Sequence, residues 1–500
     1  MASLSAQLSI EWQKSLGGTS TDAAYYIQQT NDGGYIVAGF SLTNNNGDVT
    51  GNHGGGDIWV VKLNELGNIQ WQKSLGGSST EVPRSIQQTS DGGYILAGKT
   101  FSEDGDVTGN HGNGDYWVVK LNELGTIEWQ KALGGSNVDD AKSVQQTNDG
   151  GYIIAGFSAS IDGEVSGNHG NDDAWLVKLS VTGVIEWQRS FGGSGSDRAY
   201  CISQTIDGGY IIAGETDSME GDLFDNHGSG DFWVLKLNSF GEIQWQKALG
   251  GIGIDQALCI SQTSDGGYVV IGTTGSGNSG NVSGTHGGFD IWVVKLNPIG
   301  AIQWQKAFGG SAQDYGNSIE QTGDGGYALV GTTQSNDGDV LNNDGLQDYW
   351  VLKLNHLGEI QRQKTLGGTN IEWAYCLQKT NDGGFIIAGR SDSNDGDVTG
   401  NHGGDDFWVV KLRDYTLSTQ SPQSSLSIFP NPAHTSITLQ IPAAESTLHV
   451  SINDLLGRTL SQRTITNGGQ VDISALPNGL YLLSATTEAG QVYVGKLRKE

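Results

Sequence analysis

The chain has 500 residues, 55 acidic against 27 basic, and a formal net charge of −28. So acidic a body argues against nucleic acid and anionic membrane as partners, and no stretch approaches the roughly 18 apolar residues of a membrane span. Glycine is abundant, 78 residues, but it is periodic, so it marks turns rather than disorder.

The start, MASLSAQLSI, lacks a basic segment followed by an apolar core, so no signal peptide is read in this chain: either the protein stays inside or the signal has been removed. A lone apolar run follows, Ser9-Ile10-Glu11-Trp12-Gln13-Lys14. Then a unit of 58 or 59 residues returns seven times, with the Asp of a DGG turn at Asp32, Asp91, Asp149, Asp207, Asp265, Asp324 and Asp382. Each unit carries four apolar runs; in the second copy they are Arg84–Thr89, Tyr94–Ala97, Tyr116–Leu121 and Thr126–Leu133. The second run is continuously apolar, as in a strand buried on both faces, and the third alternates with period two. Four antiparallel strands cannot cover their own faces, so each copy must pack on the next. The pattern predicts an all-β, seven-bladed β-propeller over residues 1–412. The seventh copy stops after its third run, Asp406–Leu412, so Ile10–Leu16 is expected to pair there and close blade seven.

Antiparallel order puts the connection into the first run and the long loop after the second run on one face, and the short Gly turns on the other. The entering connection ends in an acid in every copy: Asp22, Glu81, Asp139, Asp197, Asp255, Asp314 and Glu372. Two readings stand: each carboxylate accepts backbone N–H groups of its own turn, or the seven ring the axial mouth and attract a cation. The long loop repeats as D-G-D-V-T-G-N-H-G, with acids at Asp48, Asp104, Asp106, Asp162, Glu164, Glu220, Asp222, Asp337, Asp339, Asp395 and Asp397. Oxygen ligands around a Gly suit Ca2+, although copy five carries Ser279 and Asn281 instead. The loop histidines His53, His111, His169, His227, His286 and His402 lie too far apart on neighbouring blades to share one zinc, and bonding to their own loop backbone is the plainer reading. Cys201, Cys259 and Cys376 share one position with Ser85, Ser143 and Ser318, which marks small residues on the inner strands. Gly93–Thr100 satisfies the phosphate-loop pattern, but in a buried strand with no helix to follow.

Residues 413–425 are polar and read as a linker, and residues 426–500 as a small β-sandwich of seven or so short strands. The tail contains SIFPNP at 427–432, NDLLGR at 453–458, LPNGLY at 476–481 and a basic end. It resembles the type A C-terminal sorting domain of type IX secretion substrates from Bacteroidota. That resemblance implies an Ig-like sandwich that engages the type IX machinery, passage through the outer membrane, and a protein released or held at the surface.

An enzyme needs one asymmetric constellation, whereas most polar residues here recur seven times. The expectation leans to a monomeric, secreted or surface-displayed binding propeller over an enzyme, one that recognises glycan or another extracellular polymer with calcium as a candidate ligand. The alternatives are an extracellular lyase or hydrolase with its site at the axial mouth, and a surface scaffold that binds protein.

Overall fold

The computed structural model describes residues 8–222, 226–414, 426–441, 447–453, 459–487 and 492–500. Two compact units result, residues 1–415 and 416–500. The expected linker falls largely outside the described residues; its first two, Arg413 and Asp414, extend the strand Asp406–Asp414.

The first unit is a seven-bladed β-propeller. Seven four-stranded antiparallel sheets follow one another, each built in chain order from inner to outer strand, as in Asp22–Gln29, Tyr35–Ser41, Asp57–Leu63 and Ile69–Leu75. Blade seven differs in its outer strand, which is Leu8–Leu16 and pairs with Asp406–Asp414. Ile10 meets Leu412 and Leu16 meets Phe407, so the two ends of the repeat array are joined by hydrogen bonds rather than by side chains alone.

Every second and third strand is buried on both faces, because each sheet is covered by its neighbours. Each interblade core draws from two blades; one joins Ile36, Ile58 and Val60 of blade one to Tyr94, Leu96 and Trp117 of blade two. The third-strand tryptophans, Trp59, Trp117, Trp175, Trp233, Trp292, Trp350 and Trp408, are its largest buried side chains. Each satisfies its indole N–H on an outer-strand glutamine, from Trp59 to Gln72 at 2.7 Å round to Trp408 and Gln13 at 2.9 Å. The outer-strand tryptophans meet a tyrosine of the next blade edge-on, as Trp71 does Tyr94 at 5.8 Å. Where Arg362 replaces the outer tryptophan, an ion pair with Asp414 takes over.

The short-turn face is held by a buried lysine in each blade. Lys62, 2.9 Å from Asp32, recurs as Lys120, Lys178, Lys236, Lys295, Lys353 and Lys411 on the other DGG aspartates. Burial pushes these carboxyls up, but bonds from Thr, Lys and the Gly amide together outweigh it and hold each at about 2.

The second unit is a sandwich of two antiparallel sheets. One holds Ser427–Phe429, Ser436–Gln440 and Gln470–Asp472; the other orders Thr459–Thr466, Thr447–Asn453, Gly479–Thr487 and Val492–Lys499. Ile437, Leu439, Leu448, Val450, Leu483 and Leu497 fill the space between them.

Removal of residues 1–16 strips blade seven of its outer strand and uncovers Trp408. The thermal midpoint of the propeller is expected to fall by on the order of 10 °C. A peptide of residues 8–16 added in trans should recover part of the loss, whereas an unchanged midpoint would show that the segment merely decorates the ring.

Candidate functional site

On the loop face the seven acids of the entering connection do not reach the axis. Asp22, Glu81, Asp139, Asp197, Asp255, Asp314 and Glu372 are all buried inside their blades. Each accepts the amide of the second Gly of its L/F-G-G turn, from Gly18 to Asp22 at 2.8 Å round to Gly368 and Glu372 at 2.7 Å. Most also accept Ser or Thr hydroxyls, such as Thr43 on Asp22 at 2.8 Å and Ser218 on Asp197 at 2.7 Å. The self-bonded reading describes them, and the axial ring is corrected. Short side chains at the first residue of the inner strand turn back onto their own amides before they can point inward.

The loop acids grip the same connection. Asp48, Asp106, Glu164, Asp222 and Asp339 accept the first Gly amide at 3.2–3.5 Å. Asp104, Asp162, Asp337 and Asp395 accept the amide that follows the two glycines at 2.7–2.8 Å. Glu220 takes the Ser194 hydroxyl, and Asp397 donates its own amide to the Gly367 carbonyl at 2.8 Å. Copy five performs both grips with neutral acceptors, Asn281 on Gly250 at 3.3 Å and Ser279 on Ile252 at 3.1 Å. Acceptor capacity rather than charge is therefore what all seven copies share. Among the described residues no three His, Cys, Asp or Glu side chains converge in a metal-binding group.

The histidines bond to a carboxylate rather than to backbone. Nδ1 of His53, His111, His169, His227 and His402 lies 2.6–2.7 Å from Asp57, Asp115, Asp173, Asp231 and Asp406, the first residues of the third strands. His286 reaches Asp290 through its amide alone, at 2.8 Å, and leans towards Asp339 of the next blade at 3.7 Å. Each of these aspartates is buried and faces the entering acid of the next blade across a glycine. A Cβ on Gly192 would lie 2.7 Å from carboxylate oxygens of both Asp173 and Asp197. Burial first, then that neighbouring charge, raises these carboxyls, to about 6 at Asp290 and Asp406 and about 7 at Asp348, where Asp344 stands in place of histidine.

The axis is lined by other residues. A β-bulge in each inner strand, between Ala24 and Tyr26 in blade one, breaks the alternation, so two successive side chains face the channel. The cavity there measures about 340 Å3. Its lower rings are Gln28, Gln87 and Gln145 with their equivalents, then Ser85, Ser143, Cys201, Cys259, Ser318 and Cys376 with the larger Tyr26. The thiols are free.

The mouth is where the copies stop resembling one another. The fourth residue of the inner strand is Tyr25, Arg84, Lys142, Tyr200, Leu258, Asn317 and Tyr375 in turn; the second is Ala23, Val82, Asp140, Arg198, Gln256, Tyr315 and Trp373. Trp373 stands out in the sequence as a break in the repeat; the other positions carry no motif and show only when the repeats are compared column by column. From blade five round to blade one runs an aromatic arc: Phe289 to Tyr315 at 6.0 Å, Tyr315 stacked on Trp373 at 5.2 Å, Trp373 to Tyr375 at 6.3 Å, and Tyr375 to Tyr25 at 4.8 Å. Part of it walls a second cavity of about 250 Å3 that includes Gln256, Leu258, Thr273 and Asn317. Opposite lie the charges. Arg198 is balanced by Asp172 at 2.5 Å and Glu215 at 3.2 Å, and Tyr200 donates to Glu215 at 2.6 Å.

Residues 427–500 match the family described as the secretion system C-terminal sorting domain. The chain is thus a propeller that carries a type IX sorting tail, an address for export to the cell surface or the extracellular space. Over 223 residues, 41% of this chain, it is 24% identical to the regulatory protein FlaEY of Caulobacter vibrioides, of which it covers 23%. Over 291 residues, 56% of this chain, it is 22% identical to colossin-A of Dictyostelium discoideum, of which it covers 2%. The chain therefore spans only a small part of these curated relatives. Among solved structures it is similar to the Pan2 WD40 domain of Neurospora crassa, with 11% identity, TM-score 0.46, and 82% and 97% of the two chains covered. It is likewise similar to an apocarotenoid oxygenase of Synechocystis, with 12% identity, TM-score 0.39, and 81% and 96% covered.

The two carboxylate sets give stability an optimum in pH. A raised carboxyl holds a proton in the fold that the unfolded chain releases, so its contribution is complete below its ordinary 3.8 and fades as pH climbs through about 6 at Asp406 and about 7 at Asp348. The turn aspartates at about 2 act with opposite sign, contributing above 3.8 and losing that contribution as pH falls towards 2. Thermal midpoints are expected to peak at about pH 4 and decline on both sides. Asp344→His should add about 1 kcal/mol at pH 7 by supplying the missing bond to Asp348. A profile flat from pH 4 to 8, untouched by that substitution, would contradict the assignment.

Proposed function

We propose that this exported propeller is a binding protein whose ligand seat is the axial mouth of the loop face, and that the ligand is an extracellular glycan. The observation that carries the reading is the divergence of the copies at the second and fourth inner-strand residues, against near-identity at the positions that build blades. Residues that only hold a repeat together have the same task in every blade. Residues that meet one asymmetric ligand on the axis do not. The arc from Phe289 to Tyr25 offers half-buried aromatic faces to a sugar ring, whose C–H groups pack on them while its hydroxyls remain wet.

A second reading is favoured by Lys142, a cavity-lining amine that burial pushes down to about 8. An amine poised near neutrality is what a general base requires, so the mouth could also depolymerise the glycan it holds. Release of new reducing ends from the polysaccharide, abolished in Lys142→Gln, would separate catalysis from binding.

Trp373→Ala is expected to weaken binding of oligosaccharide at least tenfold, which is about 1.4 kcal/mol, and to leave the melting temperature nearly unchanged because the ring lies at the mouth and outside the interblade cores. Titration of panels of neutral and acidic oligosaccharides into the full chain, wild type and variant, checks this. Binding that is indifferent to Trp373 would move the site elsewhere.

The calcium expectation is tested separately. The D-G-D loops are read here as clamps on the entering connection, since Ser279 and Asn281 serve as well as acids. Addition of Ca2+ to chelator-treated protein is then expected to move the melting temperature by less than about 2 °C. A larger rise with several sites per chain would restore the loops as metal sites.

A further inference from the structure

The mouth carries an excess of positive charge at one place, between blades two and three. Lys142 lies 2.8 Å from Asp140, Lys99 3.4 Å and Arg84 3.7 Å, so three cations surround one carboxylate. In a chain with net charge −28 this is a local inversion of sign. The neighbouring Arg198 shows no such excess, since two acids hold it. Asp140 is buried, and its Oδ1, like Arg84 Nε, is buried without a hydrogen-bond partner. The groups are fixed by aromatic rings rather than waving in solvent: Arg84 lies over Tyr25 at 5.4 Å and Lys142 over Phe157 at 5.2 Å. Arg84 and Lys142 both line the axial cavity, and Tyr25 under Arg84 is the last member of the aromatic arc.

We infer that the glycan seated at the mouth is anionic, and that Arg84 and Lys142, with Lys99 behind them on Asp140, receive a carboxylate or sulfate of the sugar unit that stacks on the adjoining aromatic arc. The inference rests on the glycan reading above and adds the charge of the ligand. An anion placed there offsets one of the two surplus positive charges in a partly desolvated site, where such pairing is stronger than in water. The guanidinium of Arg84 suits a planar carboxylate, and the two ammonium groups supply point charges on its flank. Overall acidity repels acidic polymers at long range, but at physiological salt that repulsion is screened beyond about 8 Å. The local cluster therefore decides.

Lys142 is faced by Asp140 on its own strand, Arg84 and Lys99 from blade two, and Arg198 across Phe157 from blade four. Burial, with the repulsion of Arg84 and Lys99, brings it to about 8 against the pull of Asp140. A bound anion favours the protonated amine, so affinity is expected to fade as pH rises through about 8.

The test uses the full chain in chelator, with uronate and sulfated oligosaccharides, their neutral counterparts (methyl-esterified uronates and desulfated sugars), and inorganic sulfate as a bare anion. Charged oligosaccharides are expected to bind at least tenfold tighter than the neutral forms. Arg84→Gln and Lys142→Gln should each remove most of that preference, and Lys142→Arg should retain it. Matching melting temperatures guard against misfolding. Equal binding of charged and neutral sugars, with loss of both in Trp373→Ala, would keep the aromatic seat and overturn the anion site. Inorganic sulfate that competes on equal terms, with no dependence on Trp373, would keep the anion site and overturn the glycan. A charge preference that persists in both glutamine variants would also overturn the inference.

Discussion

A four-stranded sheet with two apolar faces cannot exist alone in water, and everything in this propeller follows from the need to cover both. Neighbouring blades supply the cover, with a tryptophan from each third strand at the centre of every interblade core. The indole N–H would be costly to bury unpaired, so an outer-strand glutamine accepts it in all seven blades. A linear stack would still leave two faces bare. Blade seven covers them by packing Phe407 and Val409 against Val37 and Trp59 of blade one, and the pairing of Leu8–Leu16 with Asp406–Asp414 ties the two ends of the row together.

Closure divides the polar residues into three tasks. On the short-turn face a lysine stem runs through the core and its ammonium meets the DGG aspartate, so one ion pair per blade pins two turns together. On the loop face two sets of carboxylates gather the L/F-G-G connection, one accepting its amides from within the blade and the other from the long loop. The glycine between the two buried acids must lack a Cβ, because carboxylate oxygens approach it from both sides. At the axis the inner strands bulge and turn side chains inward; the glutamine ring ties each blade to the next, as Gln28 accepts the Gln88 amide, whereas the second and fourth residues differ from copy to copy.

Much of this was legible beforehand. The period, the four runs, the missing last strand and the leading run at Ile10–Leu16 sufficed for the ring and its closure, because apolar patterning reports burial whatever the partner is. The sorting tail was legible from its spaced motifs. Side-chain aim was not. The seven entering acids precede the innermost strands and so read as axial, yet the amide of the second Gly of each connection holds them inside the blade, Glu81 and Glu372 as well as the five aspartates. The loop pattern points the histidines to backbone, whereas five of them bond to the aspartate four residues on, a pairing that Asp344 beside Asp348 marks by exception.

By itself the sequence determined what is repeated: strand content, blade number, the closing strand and the identity of the tail, since each depends on local pattern and on counting. The tertiary structure alone decided what is unique. It brought Phe289, Tyr315, Trp373, Tyr375 and Tyr25 into one arc and set Arg84, Lys99 and Lys142 around Asp140, although these residues are spread across the repeat array. The physical reason is ring closure, which makes blade one the neighbour of blade seven, together with the bulge, which aims adjacent residues at a common axis.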